Sequence, residues 1–173
     1  MKDTGVIRRI DDLGRIVIPK EIRKTLKIRE GDSLEIFVDE KGIILRKFSP
    51  LGELTSLAKM YSGATYKNAD KMVIITDTEK IIAANKISKI EGKSISQKLI
   101  SVIEEKHAKN IDKDNNFPLT DDYVYNGCLY IEPIVVYGDI MGSVIMLDEN
   151  YINEEHKNII KIGSTFFGEY ISS

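Results

Sequence analysis

All six arginines of the chain lie within its first fifty residues, at Arg8, Arg9, Arg15, Arg23, Arg29 and Arg46. Arginine binds phosphate groups and guanine edges through a planar fork of N–H donors that lysine cannot reproduce. Residues 1–50 carry 12 Lys and Arg against 9 Asp and Glu, a net charge of +3. Residues 51–173 carry 13 against 18, a net charge of −5. This division predicts that the first segment contacts a polyanion and that the second has a different task.

The remaining residue types that could do chemistry form no set with a usable spacing. His107 and His156 are far apart in the chain, and Cys128 is the single cysteine. No residue can be named as a base that would activate Cys128 as a nucleophile. Gly138 and Gly142 belong to a predicted hairpin rather than to a phosphate-binding loop. We therefore expect no catalysis, no metal ion and no cofactor.

Composition places the chain among folded proteins of a reducing compartment. Of its 173 residues, 42% are hydrophobic and 30% are charged, which excludes a disordered tail protein. No basic segment followed by an apolar one occurs at the N-terminus. The longest apolar stretch, 130–147, is interrupted by Glu132, Pro133 and Asp139, so we expect no membrane partner. A lone cysteine fits the cytoplasm, where we expect the protein to act.

The elements that must position the arginines follow the order β-β-α-β-β. They are strands over 6–10 and 15–18 around a turn at 11–14, a helix over 20–27 that follows Pro19, and a hairpin of strands 34–38 and 43–47 around a loop at 39–42. Four strands and a short helix cannot close a sizeable core within about 50 residues. A second copy must cover the apolar faces, so we expect an obligate homodimer.

The residues from Gly5 to Leu26, followed by Gly31-Asp32, Leu34-Glu35-Ile36 and Ile44-Leu45, resemble the AbrB-type swapped-hairpin DNA-binding domain. The resemblance implies that two chains interleave their hairpins into one domain-swapped β-barrel that binds double-stranded DNA. It also implies a DNA-facing surface made of Arg8, Arg9, Arg15, Arg23 and Lys24. Lys20 and Lys47 are weaker candidates, and Arg46 is expected to be a solvated strand residue.

The alternative for each arginine is an ion pair with a nearby acid. Asp11, Asp12 and Glu21 lie close enough in sequence to serve as partners. Contacts aimed mainly at phosphates and DNA shape would agree with the loose consensus of this family.

Beyond a junction at Ser49-Pro50, the predicted order of elements is that of an α+β domain. Apolar stripes predict a first helix from Leu51 to Tyr61 and a last helix from Ile159 to Ile171, which either pair with each other or cover their own sheet. The predicted elements between them are a hairpin over 72–75 and 81–84, a helix capped by Ser94, a mobile polar loop over 108–122, and strands over 130–136 and 140–147. His156 is expected to be exposed or to lie at a helix cap.

Residues 51–173 resemble a GAF-type domain, most clearly at Pro133-Ile134, Gly138-Asp139 and Gly142-Ser143-Val144. An AbrB-type domain at 1–50 joined to one GAF-like domain at 51–173 is similar to the stage V sporulation protein T family. That resemblance implies a transcriptional regulator of the developing forespore, with homotetramers joined through the C-terminal helices. A GAF-like fold leaves room for a small-molecule effector, and Tyr123, Tyr125 and Asn126 flank the predicted loop, although packing is the favoured role for them.

Two other functions remain open. Swapped-hairpin domains also occur in antitoxins, which bind their own operator and a partner protein. An antitoxin tail is usually disordered until it binds, however, whereas this tail has predicted strands and capped helices. An enzyme or carrier with a vestigial DNA-binding segment would need a catalytic set that the sequence lacks.

Overall fold

The computed structural model describes residues 6–26, 28, 30–40, 42–87 and 89–173. The chain divides into two compact units, Met1–Phe48 and Ser49–Ser173. Together they contain five helices and seven strands among the described residues, which confirms the α+β class.

The first unit contains one short helix and one hairpin. Helix α1 (Lys20–Thr25) follows Pro19, and strands β1 (Leu34–Asp39) and β2 (Gly42–Lys47) pair antiparallel. The predicted helix extended to Lys27, which lies outside the described residues. At the turn, Gly14 has a φ of +77° and its N–H donates to the carbonyl oxygen of Asp11 at 3.0 Å, as expected for a position that favours glycine.

Residues 6–10 and 15–18, which were predicted as strands, are assigned to no strand in this single chain. Of the backbone hydrogen bonds expected between the two predicted strands, the described residues form one at the turn. There the Asp11 N–H donates to the Arg15 carbonyl oxygen at 3.1 Å. A strand requires a neighbour for its N–H and C=O groups. A single copy supplies no such neighbour beyond the turn. The β-branched residues of these two segments therefore form no sheet in one chain.

The first unit also has little core of its own. Among its described residues only Pro19 is buried, whereas Ile7, Val38 and Ile43 are 92%, 78% and 66% exposed. On one face of the hairpin the register places Ile36 opposite Leu45 and Val38 opposite Ile43, and these four side chains form a bare apolar surface.

The second unit is a five-stranded antiparallel sheet with helices on both faces. Its helices are α2 (Pro50–Glu53), α3 (Thr55–Ala69), α4 (Gln97–Glu104) and α5 (Glu154–Ser172). Its strands are β3 (Met72–Thr76), β4 (Ile81–Ala84), β5 (Lys109–Thr120), β6 (Tyr123–Val136) and β7 (Asp139–Asp148), in the spatial order β4-β3-β7-β6-β5. The predicted hairpins are confirmed, and β6 begins seven residues earlier than expected.

Helices α2, α3 and α5 cover one face of this sheet, and α4 covers the other. Leu51, Ala58, Ile160 and Phe167 belong to one buried cluster with Val73 and Ile75 of β3, while Leu99 and Ile103 of α4 belong to the second. The α3 and α5 helices therefore fulfil both expectations, because they contact each other and cover their own sheet. No helix among the described residues is long and apolar enough to cross a membrane.

Two predictions for this unit were wrong. The polar segment 108–122 is not a mobile loop, because most of it is the edge strand β5, paired with β6 and interrupted by three register shifts. An edge strand exposes one side to water and tolerates Lys, Asp and Asn, while Phe117 and Leu119 supply its fully buried side chains. The cap of α4 is Ser96, whose Oγ accepts from the Leu99 N–H at 3.1 Å, because Ser94 and Ile95 make β-bridges to Lys80 and Thr120.

Candidate nucleic-acid interface

The turn at residues 11–14 gives Arg15 a defined position. One oxygen of Asp11, Oδ1, accepts from the backbone N–H groups of Leu13 and Arg15 at 3.0 and 2.8 Å. The other, Oδ2, accepts from the Arg15 Nε at 2.8 Å. The backbone N–H and the guanidinium of Arg15 both hold the pKa of the Asp11 carboxyl below its usual range. The alternative expected for this arginine, an ion pair with Asp11, is therefore present, while 70% of the Arg15 side chain stays exposed.

Arg8 and Arg9 lie on the segment that leads into this turn. Both are exposed, and neither forms an ion pair with any residue that the structure describes. Their guanidinium groups are thus available to an external anion.

Arg23 and Lys24 lie in the last turn of α1. The Arg23 N–H donates to the Pro19 carbonyl oxygen at 2.9 Å, so the helix begins directly after the proline. Cations at this end of a helix interact favourably with the helix dipole, which gives both residues a structural role as well. Both side chains are exposed, and nothing in the described chain pairs with them.

The weaker candidates differ from one another. Lys20 is exposed at the start of α1. Lys47 forms an ion pair with Asp32 at 3.2 Å, and only 17% of its side chain is exposed, so it is poorly placed to reach DNA. The Arg46 guanidinium lies 5.0 Å from the centre of the Phe37 ring, a cation–π contact on the strand surface.

The residues expected to line an effector pocket lie on β6. Tyr123 is half-buried, Tyr125 is buried in the core with α4, and Asn126 is exposed. Because the neighbouring segment is a strand and not a loop, they do not flank a lid. The packing role is the one that the structure shows for Tyr125.

Cys128 and the backbone of His156 form local hydrogen bonds. The Cys128 Sγ donates to the Asn150 carbonyl oxygen at 2.9 Å and accepts from the Lys113 N–H at 3.3 Å. His156 lies in the first turn of α5, where its N–H donates to the Asn153 cap at 2.8 Å. In the part of the chain that the structure describes, no three His, Cys, Asp or Glu side chains are grouped so that they could hold a metal ion.

Comparison with known proteins now identifies the family. The family model described as "Stage V sporulation protein T C-terminal, transcription factor" matches residues 53–171. Stage V sporulation protein T of Bacillus subtilis is 44% identical over 170 residues, which cover 92% of this chain and 93% of that protein. The chain belongs to the stage V sporulation protein T family. Family membership confirms the resemblance seen in the order of the two domains.

The N-terminal unit has relatives outside the stage V sporulation protein T family. The transition state regulatory protein AbrB of Bacillus subtilis is 58% identical over 50 residues, which cover 29% of this chain and 52% of that protein. Residues 7–50 also match the family model described as "Antidote-toxin recognition MazE, bacterial antitoxin". The MazE match ends at residue 50, the predicted end of the AbrB-type domain.

The C-terminal unit has the GAF fold. The GAF domain of a phosphoenolpyruvate-protein phosphotransferase from Coxiella burnetii covers 69% of this chain and 82% of its own, with a TM-score of 0.55 and 16% identity. At 16% identity this likeness shows the fold alone. It confirms the prediction that the C-terminal unit of this stage V sporulation protein T family member is GAF-like.

Proposed function

We propose that this protein regulates transcription during spore formation by binding double-stranded DNA in the cytoplasm. Residues 1–50 make the contacts, and the proposed surface consists of Arg8, Arg9, Arg15, Arg23 and Lys24. The observation that carries the proposal is that all five side chains are exposed on a unit that is 58% identical to the transition state regulatory protein AbrB. Exposed arginines without competing buried partners can neutralise phosphates.

The functional form is a homodimer through the N-terminal unit. Supporting this, the apolar surface formed by Ile36, Val38, Ile43 and Leu45 is bare in one copy. The segments 6–10 and 15–18 around the turn form no strand in one copy, and a second chain can supply the strand neighbours that they need. A domain-swapped barrel meets both needs and doubles the number of basic side chains on one particle.

Residues 51–173 join two such dimers into a homotetramer. On α5 the side chains of Ile162, Phe166 and Tyr170, four residues apart, are 67%, 42% and 54% exposed. This stripe, which we call the α5 stripe, is a surface suited to pairing with a second copy. A small-molecule effector of the same unit stays a prediction.

The antitoxin alternative is favoured by one observation, the match of residues 7–50 to the MazE antitoxin model. The tail argues against it. The second unit has two buried clusters of its own, so it need not fold upon a partner protein as a disordered tail does. No catalytic role is proposed, since the family model describes a transcription factor.

The deciding experiment measures binding of the whole protein to an AT-rich duplex from about 50 to 200 mM salt. The Arg8→Ala/Arg15→Ala variant is compared with Lys67→Ala/Lys161→Ala, which removes the same charge from exposed positions of the second unit. Each lost phosphate contact lowers the log–log salt slope by about 0.9, so only the arginine variant should bind weakly and with a shallow slope. A folded dimer that binds no DNA at low salt would contradict the proposal.

A further inference from the structure

We infer that Asp11 is a positioning residue for DNA binding, because its carboxylate holds the Arg15 guanidinium through Nε and leaves both Nη groups to the nucleic acid. The inference rests on the proposed function and adds to it a residue that would carry no DNA contact itself.

The two carboxylate oxygens of Asp11 have separate tasks. Oδ1 shapes the turn by accepting the backbone N–H groups of Leu13 and Arg15 at 3.0 and 2.8 Å. Oδ2 accepts from the Arg15 Nε at 2.8 Å and has no part in the turn. Neither Nη group of Arg15 donates a hydrogen bond to any described residue, and the side chain is 70% exposed.

This arrangement suits recognition better than folding. An exposed ion pair four residues apart contributes little to stability, so stability alone does not explain it. A free arginine samples many rotamers, and ordering it against DNA costs conformational entropy. With Nε already occupied, the edge that carries the two Nη groups remains, and this edge can bind a phosphate or a guanine in bidentate fashion.

The neighbouring residue supplies a matched control. Asp12 carries the same charge in the same turn, but it forms no hydrogen bond or ion pair with Arg15. Removing either negative charge should by itself favour binding to a polyanion. The main difference between Asp11→Asn and Asp12→Asn is therefore whether Arg15 keeps its partner at Nε. The asparagine at position 11 retains a side-chain oxygen for the turn.

The test measures the affinity of the full chain for an AT-rich duplex in four variants: Asp11→Asn, Asp12→Asn, Arg15→Ala and Asp11→Asn/Arg15→Ala. We expect Asp12→Asn to bind as tightly as the unchanged protein or more tightly, and Asp11→Asn to bind about tenfold more weakly than Asp12→Asn. With Arg15→Ala already present, adding Asp11→Asn should cause no further loss, because the effect of Asp11 passes through Arg15. Thermal unfolding of each variant reports any damage to the turn.

A further variant keeps the test decisive if position 11 tolerates no change. Arg15→Lys preserves the charge and the turn but lacks the Nε and the fork, so it should bind within about threefold of Arg15→Ala. Equal affinities of Asp11→Asn and Asp12→Asn, or unchanged affinity of Arg15→Lys, would overturn the inference while leaving DNA binding intact. Absence of DNA binding by the unchanged protein would overturn the proposed function as well.

Discussion

The Tyr61 hydroxyl of α3 donates a 2.7 Å hydrogen bond to the backbone carbonyl oxygen of Ile159 in α5. The Tyr61 ring also meets the Phe167 ring edge-on, with 5.6 Å between the centroids. Gly163 makes this approach possible, because a Cβ at that position would lie 2.2 Å from the Tyr61 Oη. Helices α3 and α5 are thus held together at a point where only a glycine fits.

Gly163→Ala should therefore destabilise the second unit. The added methyl group must displace the Tyr61 ring and break its hydrogen bond, which we expect to lower the free energy of unfolding by about 1–3 kcal/mol. Gly168→Ala on the same helix is the control, since its nearest neighbour would be the Val136 Cγ2 at 3.8 Å. There the change should stabilise by about 0.5–1 kcal/mol through helix propensity. Urea unfolding measures the free energy of unfolding of both variants. Equal losses of that free energy at the two sites would refute the role of Gly163.

Loss of the hydroxyl group should change the free energy of unfolding in opposite directions at two buried tyrosines of β6. The Tyr125 Oη has no partner among the described residues, whereas the Tyr130 Oη donates to Glu132 at 2.6 Å. Tyr125→Phe removes an unpaired buried polar group and should raise the free energy of unfolding by about 1 kcal/mol. Tyr130→Phe should lower it by about 1–3 kcal/mol, because a bond to a carboxylate is lost. Denaturant titration of both variants checks the sign, and destabilisation by Tyr125→Phe would indicate an unseen partner.

Alkaline pH should lower the stability of the fold through ionisation of Tyr125. Burial, followed by the nearby carboxylates of Asp148 and Glu149, raises the pKa of Tyr125 to about 12, from about 10. Between these values the unfolded chain loses the Tyr125 proton while the folded chain keeps it, so stability falls as pH rises. Unfolding followed from pH 9 to 12 should show a smaller decline for Tyr125→Phe than for the unchanged protein. Identical profiles would exclude Tyr125 as a source of the decline.

The sequence predicted those elements whose pattern depends only on near neighbours. The alternation in β1 and β2, the glycine of the turn at 14 and the apolar face of α5 each determine local structure directly. The edge strand β5 was missed because its Lys, Asp and Asn residues are typical of loops, and its β-pairing depends on β6. The one signal available was the spacing of Phe117 and Leu119, two residues apart, on an otherwise polar segment.

For the candidate interface, the sequence predicted which residues are exposed but not how they are held. Asp11 was expected as a turn residue or as a partner of the arginines, and the structure shows that one carboxylate does both. Side-chain geometry of this kind depends on rotamers that the residue spacing does not specify. The strands at 6–10 and 15–18 need a second chain, which no single copy can supply.

The exposed apolar face of the β1–β2 hairpin should be required for dimer formation. Ile36→Asp/Val38→Asp places two charges on the apolar surface of the first unit, and burying them against a second copy would be strongly unfavourable. We expect loss of dimers through this unit and loss of DNA binding, with the second unit still folded. Glu35→Gln, at an exposed position of the same strand, should change neither property. Sedimentation and DNA titration measure the two effects, and tetramers that persist in the double aspartate variant would contradict the swapped arrangement.

The α5 stripe should control assembly beyond the dimer. Phe166→Ser/Tyr170→Ser removes most of its exposed aromatic surface, which supplies the driving force for pairing helices of two copies. We expect sedimentation to show dimers instead of tetramers, and affinity for a duplex with two separated sites to fall because simultaneous binding by linked dimers is lost. Affinity for a single-site duplex and its salt slope should stay unchanged, since the arginines are untouched. Tetramers that persist in this variant would indicate that the assembly surface lies on another face of the second unit.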